Sequence, residues 1–428
     1  YQRRGPLRLV TGDTTKIPLI YFLPSLSLST EEVSLIHLSI TSAFCHPSMV
    51  KEREVEPRVV LTAPLSLEGE SDADYRAPNL LQRILSLFST IRPGSDLTRT
   101  QLPPLFNLPK SQLQCYGESV YCINHDMLSK CGKGESSIER LTSVVAWSIS
   151  TMRPLMFGVA PYNPILGETH HVSRASLNVL LEQVSHHPPV TALHATDEKE
   201  NIEMIWCHYP VPNFYGTKIE TEVHGKRELK LLNRQETYVM NSPKLVIRLI
   251  PFPGVDWVGN VTIKCEETDL QADLHYKGSS LLSNRGNRSV KGRIFVPSTS
   301  KTICEINGHW DRTVTTKDIA TGKLNEIYKA KEALSEMKTP IVKDPKGVMQ
   351  SESAVVWAEV SQSILSRNWD KAKLAKTIVE ERERVLAKER KSNSEIWVPK
   401  HFTVSYSKES GWDPTPNERW VPAAPIII

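Results

Sequence analysis

The residues best suited to chemistry lie in one stretch, Glu182-Gln183-Val184-Ser185-His186-His187-Pro188-Pro189. Two adjacent imidazoles can donate hydrogen bonds to an anion or take up a proton near neutral pH. Leu177, Val179 and Leu181 precede them, apolar on alternate positions as in a strand. Two prolines follow, and a proline nitrogen has no proton to give a ladder. The pattern predicts a histidine pair held in a stiff corner at a strand end.

A second set lies far along the chain. Lys376, Glu380 and Arg384 are spaced i, i+4, i+8, so they share one stripe of a helix. Their segment, 370–391, lacks Gly and Pro and carries many charges, which predicts one long helix with a thin apolar stripe of Leu374, Ile378, Val385 and Leu386. Taken alone, the charged stripe reads as a solvated face with intrahelical pairs. A third set is Asn163-Pro164-Ile165-Leu166-Gly167-Glu168, whose proline and glycine predict a turn ahead of a strand.

Five histidines (His170, His171, His186, His187, His208) raise metal-dependent hydrolysis as an alternative. Neighbours on a strand face opposite sides, which predicts that neither His-His pair chelates from one face. The chain has no H-E-x-x-H, C-x-x-C or G-x-S-x-G. No catalytic residue, metal ligand or cofactor is therefore expected.

Elements to position these groups are legible. Asn79 to Ile91 places Leu80, Leu81, Ile84, Leu85, Leu87, Phe88 and Ile91 on a helical period, with Asn79 as the expected cap. Leu102-Pro-Pro-Leu-Phe-Asn-Leu-Pro-Lys110 follows as extended chain. Ser136 and Glu139 have capping-box spacing at the head of a helix running to Ser150. From Ala192 to Tyr328, alternating segments such as Thr217–Val223, Lys244–Ile250 and Leu270–Tyr276 predict a meander, sandwich or barrel with one wet face.

Composition narrows the class. The chain of 428 residues is 39% hydrophobic, with a net charge of +4 and a mean hydropathy of −0.30, which fits a globular chain with any anion site confined to a local cluster. No nucleic-acid partner is expected. Seven scattered cysteines argue against a disulfide framework.

Glu-Gln-Val-Ser-His-His-Pro-Pro and Asn-Pro-x-Leu-Gly-Glu resemble two signatures of the oxysterol-binding protein family, in the family's order and spacing. The resemblance is to a short, plant-like form of the oxysterol-binding protein-related lipid-transfer domain, without a complete PH domain. It implies a mainly β fold with helices (α+β): a large, nearly closed antiparallel β-barrel around an apolar lipid tunnel, with an N-terminal lid helix and a C-terminal helical subdomain. The implied plan is an atypical, poorly ordered segment 1–64, an acidic linker 65–78, the ligand domain 79–420 and a tail 421–428. Within the domain fall a lid (79–110), helices (111–158), the barrel (159–330) and C-terminal helices (331–420).

The implied function is exchange of phosphatidylinositol 4-phosphate for a sterol or a phospholipid between membranes, without catalysis. A lipid sensor or scaffold without net transfer is the nearer alternative. The resemblance assigns His186, His187, Lys376 and Arg384 to the phosphate, Glu380 to a sugar hydroxyl and Asn163 to the lipid head. It assigns Leu81, Ile84, Leu85, Phe88, Leu102 and Leu105 to the lid and tunnel. A monomer is expected, cytoplasmic and transiently peripheral on intracellular membranes such as the endoplasmic reticulum and its contact sites. Two positions depart from the pattern. Ala160 stands where many members carry a phosphate-binding lysine, and Leu155 and Met156 stand where sterol-binding members can carry polar residues.

Overall fold

The computed structural model of the chain describes residues 58–66, 76–278 and 288–428. Helix α1 (Leu80–Phe88) and the short strand β1 (Ser95–Asp96) come first, then β2 (Asn107–Ser111). Helices α2 (Gln112–Tyr121), α3 (His125–Lys133) and α4 (Ser137–Ser150) precede β3 (Ala160–Tyr162). Ser136 caps α4 in the box expected with Glu139.

The strands then follow almost without interruption: β4 (Thr169–Arg174), β5 (Leu177–His186), β6 (Pro189–Asp197) and β7 (Ile202–Phe214), then β8 (Lys218–His224), β9 (Arg227–Leu231), β10 (Glu236–Met240) and β11 (Lys244–Arg248). The series continues with β12 (Gly254–Cys265), β13 (Leu270–Lys277), β14 (Ser289–Val296), β15 (Lys301–His309), β16 (Thr313–Asp318) and β17 (Leu324–Lys329).

Two long strands organise this sheet. On β7, Ile202–Trp206 pairs with β9, whereas Tyr209–Phe214 pairs with β8. On β12, residues 254–258 pair with β11 and 263–265 with β10. Since β8 pairs with β11 and β9 with β10, two short strand pairs sit side by side between the long ones. From β12 the order simply continues to β17. Alternate residues of these strands, including Val179, Leu193, Trp206, Leu229, Ile263, Ile294 and Ile306, share one buried cluster with Leu113, Tyr121, Val145 and Trp147 of the helices. Burying one face of so wide a sheet requires a filler, and α2–α4 supply it. The architecture is thus the mainly β fold with helices that the sequence implied.

The C-terminal part is helical and then extended: α5 (Ala330–Ala333), β18 (Ile341–Val342), α6 (Ser353–Val356), α7 (Ala358–Leu365), α8 (Trp369–Ser392), β19 (Phe402–Ser407), β20 (Gly411–Pro416) and β21 (Ile426–Ile427). In the tail 421–428, β21 joins the sheet in parallel with β4, and Ile426 is fully buried.

The N-terminal expectation also shifts. Residues 1–57 and the acidic stretch 67–75 lie outside the described residues. Residues 58–64, expected to be poorly ordered, instead lie on the helical side. Val59 and Leu61 pack on the main core, Val60 donates to the Ala354 carbonyl, and Arg58 meets Glu359 at 2.7 Å.

The lid candidate α1 belongs to a separate apolar cluster. Ile84 and Phe88 are buried with Phe106, Phe214, Ile219 and Leu249, and the Phe88 ring stacks on Phe214 with centroids 5.1 Å apart. Leu85, Leu102 and Leu105 pack at its edge. Leu81 is half-buried and outside this cluster, whereas Leu80, one position earlier, packs against it. Asn79 does not cap: it adopts a left-handed conformation and its side chain makes no cap bond.

Because this cluster is distinct from the main core, a charge in it should loosen the lid and spare the sheet. Leu85→Asp is expected to weaken lid docking by about 1–3 kcal/mol. Limited proteolysis should cut near residues 80–106 while the main urea transition stays in place. Cooperative loss of the whole fold would show that α1 is core.

Candidate functional site

The histidine pair sits on the β5–β6 hairpin. His186 pairs with Pro189, which leaves His187-Pro188 as the turn. Pro189 therefore begins a strand, and the ladder resumes sooner than the double proline suggested. The imidazoles do not face opposite sides either. His187 belongs to the turn, so the two rings come together with centroids 4.6 Å apart.

Much of each signature is structural. The Glu182 carboxylate accepts from the backbone N–H groups of Lys400 and His401, both at 2.8 Å, and so fastens the C-terminal segment. Gln183 accepts from Thr191 at 2.7 Å, across the hairpin. Glu168 is fully buried and accepts from the Ser111 hydroxyl, from Ser353 Oγ at 2.6 Å, from Trp357 Nε1 at 2.9 Å and from the Ile165 N–H at 3.0 Å. Burial pushes its pKa up, and these four donors offset only part of that rise. Gly167 has φ +75°, and a Cβ there would stand 2.5 Å from the Trp397 ring. Only glycine combines that conformation with so close an approach.

These anchors shape a cleft of about 650 Å³ that brings together His186, His187, Asn163, Lys376, Glu380 and Arg384, all six residues singled out in the sequence. Helix α8 supplies the last three. Ala372 and Ala375 are small enough for it to lie close against Trp357, Val360 and Ile364. The expected apolar stripe does not do this packing: Leu374, Ile378 and Val385 are 43–51% exposed. The inward face instead carries Lys376, Glu380, Glu383, Ala387 and Arg390, a 4-3-4-3 spacing.

Glu383, Arg390 and Arg99 were not foreseen. Arg390 lies six residues beyond Arg384, off the i, i+4, i+8 stripe, and its guanidinium sits over Trp397, 5.7 Å from the ring centre. Arg99 comes from the strap after α1, along with Thr98, Thr100, Gln101 and Leu102. The cleft walls thus carry four permanent cations (Arg99, Lys376, Arg384, Arg390) against two carboxylates (Glu380, Glu383), besides the histidines.

Lys376 is the pivot. Its ammonium is buried, donates to the Leu102 carbonyl of the strap and to Asn107 Oδ1 at 2.9 Å, and stands 3.7 Å from Glu380. Burial lowers its pKa, which Glu380 partly offsets. Asn107 in turn donates to the carbonyl of Ala160 at 3.2 Å. Ala160 is therefore next to this network. Arg384 is half exposed and paired with Glu381 at 2.7 Å. His186 Nδ1 is buried without a partner, and burial, then His187, lower this imidazole's pKa.

The other histidines are placed structurally. His170 bridges Glu352 at 2.6 Å and Tyr121 at 2.9 Å, and His171 meets the Pro422 carbonyl at 2.9 Å. Among the described residues, no group of three His, Cys, Asp or Glu side chains could hold a metal ion, and no helix is long and apolar enough to cross a membrane.

A wide β sheet wrapped on helices, with a cationic cleft walled by the strap 98–102 and α8, fits a lipid-binding domain. The chain belongs to the oxysterol-binding protein family, whose model matches residues 86–423. It is 52% identical over 381 residues to oxysterol-binding protein-related protein 4B of Arabidopsis thaliana, covering 88% of this chain and 99% of that one. It is also 52% identical over 378 residues to protein 4C of the same plant, covering 87% and 100%. Among solved structures, the fold matches the Osh1 ORD domain in complex with cholesterol (TM-score 0.68, 20% identity, 91% of this chain and 95% of that one). It also matches the Osh3 ORD in complex with PI(4)P from Saccharomyces cerevisiae (TM-score 0.62, 19% identity, 85% and 95%).

Glu168 offers a direct check of how the cleft is held. Glu168→Ala leaves three side-chain donors facing an empty acceptor position, and a buried donor left unsatisfied costs about 1–3 kcal/mol. Denaturant unfolding should show a loss of that size, and a loss below about 1 kcal/mol would remove Glu168 as the anchor.

Proposed function

We propose that this chain binds phosphatidylinositol 4-phosphate in the cleft and exchanges it for a second lipid, a sterol or a phospholipid, between membranes. The observation that carries the reading is convergence. His186, His187, Lys376 and Arg384 come from a hairpin and a helix nearly 200 residues apart, yet they line one cleft. A phosphate among them would gain charge-assisted hydrogen bonds, and the guanidinium suits its geometry. Glu380 would orient a sugar hydroxyl and Asn163 would bond the lipid head. The solved Osh3 domain holds PI(4)P and the Osh1 domain cholesterol, which supports the two ligand classes.

Lys376 ties this reading to movement. A phosphate would compete with the Leu102 carbonyl for its ammonium, so headgroup binding and strap position are linked. No covalent bond changes in such a cycle, and neither an enzyme activity nor a metal or cofactor is part of it. The protein would act as a monomer, transiently peripheral on intracellular membranes such as the endoplasmic reticulum and its contact sites. Burial of lipid tails from water, worth about 25 cal/mol per Å² of apolar surface, would drive uptake.

Transfer of labelled phosphatidylinositol 4-phosphate between liposomes tests this. His186→Ala with His187→Ala removes two donors, each worth about 1.5–3 kcal/mol toward a charged group, so headgroup affinity should fall at least 100-fold. Ala160→Lys should strengthen binding by adding a cation. A bound phosphate also raises the His186 pKa, so binding takes up a proton. Affinity should be higher at pH 6 than at pH 8, and that difference should shrink in His186→Ala. Unchanged affinity in the double variant contradicts the site, while binding without transfer favours a sensor.

A further inference from the structure

A second cavity, of about 80 Å³, lies between helix α2, the segment 151–155 that follows α4, and the sheet, apart from the cleft. By volume it has room for a few water molecules or for one compact polar group. Its walls include apolar Met152, Leu155 and Val223, but also Arg153, His208 and Arg227. Arg227 is 2% exposed, donates to Thr151 Oγ1 and to the Asn241 carbonyl, both at 3.1 Å, and no carboxylate pairs with it among the described residues. Burial lowers its pKa to about 10.

Other donors around the cavity are unspent. Arg227 Nε, Arg153 Nε, Trp206 Nε1 and His208 Nε2 are all buried with no hydrogen-bond partner among the described residues. The one carboxylate on the wall, Glu118, is paired with Lys110 at 2.6 Å. Arg153 donates only to the carbonyls of Ser150, Glu118 and Cys122. Two guanidinium groups therefore remain beside the cavity after the Lys110–Glu118 pair is set aside. Burial holds His208 near 3, so it adds a neutral ring near pH 7.

We infer that this cavity receives the anionic end of a lipid, a carboxylate or a phosphate, with Arg227 as its counter-ion. The Arg227 guanidinium lies over the Trp206 ring, 5.3 Å from its centre, which offsets only part of the cost of a buried cation without a carboxylate, and donors left without acceptors add to that cost. One anion answers both. A lone hydroxyl would accept hydrogen bonds here but leave the charge unpaired. The inference deepens the exchange reading and rests on it for the ligand being a lipid: it names the second lipid as anionic rather than a neutral sterol.

The test is fluorescence titration of the full chain with cis-parinaric acid, with the matching uncharged parinaryl alcohol, and with competing lysophosphatidic acid. Wild-type protein should bind the acid at least 10-fold more tightly than the alcohol, a ratio that needs no variant. Arg227→Met should remove that preference and Arg227→Lys should keep part of it, with thermal unfolding used to check that each variant folds. Displacement by lysophosphatidic acid would mark phosphate as accepted, and acid binding without displacement would restrict the site to carboxylates. His186→Ala with His187→Ala should leave acid binding intact. Equal binding of acid and alcohol overturns the inference, as does loss of acid binding in the double histidine variant. In either outcome, wild-type binding of phosphatidylinositol 4-phosphate would still stand as a separate result.

Discussion

Glu168 is a carboxylate removed from water, and distant parts of the chain meet on it. Ser111 reaches it from the start of α2, and Ser353 and Trp357 reach it from the C-terminal helices. An ionised carboxylate is tolerated inside a protein only when its oxygens are well supplied with donors. The need for those donors fixes where α6 and α7 sit against the Asn163–Glu168 turn. Trp357 then stacks on Tyr162, with ring centroids 4.6 Å apart, and offers the surface on which α8 lies. Lys376, Glu380 and Arg384 inherit their positions from that contact. Glu182 does the same on the other wall, through the backbone of Lys400 and His401. The charged residues of the two signatures thus hold up the cleft, and the histidines line it.

How far the site was legible follows from this division. The six residues singled out in the sequence do line the cleft: a helical stripe and a hairpin end are local geometry, and the family resemblance gave them a shared site. Alternation identified the strands of the β region, because each buries one face. What escaped depends on which elements meet. The face of α8 turned inward is set by Ala372 and Ala375, so Leu374 and Ile378 are exposed against expectation and Arg390 enters the cleft unforeseen. Leu80 was legible as periodic, but only the docked helix shows it in the lid cluster without Leu81. The pairing of β21 with β4 joins residues 254 positions apart, such as Ile426 and Val172, and no local pattern announces that.

Ala160, where the resemblance implies a lysine in many members, reads differently in this setting. Charge is set by the whole wall, and Arg99 and Arg390 bring it to four permanent cations. Lys376 matters most among these, since it is the one spent on the protein's own backbone. In the state described, its ammonium holds the Leu102 carbonyl, so the strap and α8 are joined directly. A buried ammonium keeps such a bond because leaving it unpaired would be costly. Under the proposed reading it would exchange that bond for one to a phosphate. The group that joins the strap to α8 would then be the one that meets the ligand.

The most direct measurement is a crystal structure of the chain with phosphatidylinositol 4-phosphate bound. The account predicts the 4-phosphate within hydrogen-bond distance of His186, His187 and Arg384, with Lys376 Nζ transferred from the Leu102 carbonyl to a phosphate oxygen. A headgroup bound elsewhere, or a phosphate in the cleft with Lys376 still on Leu102, would contradict it.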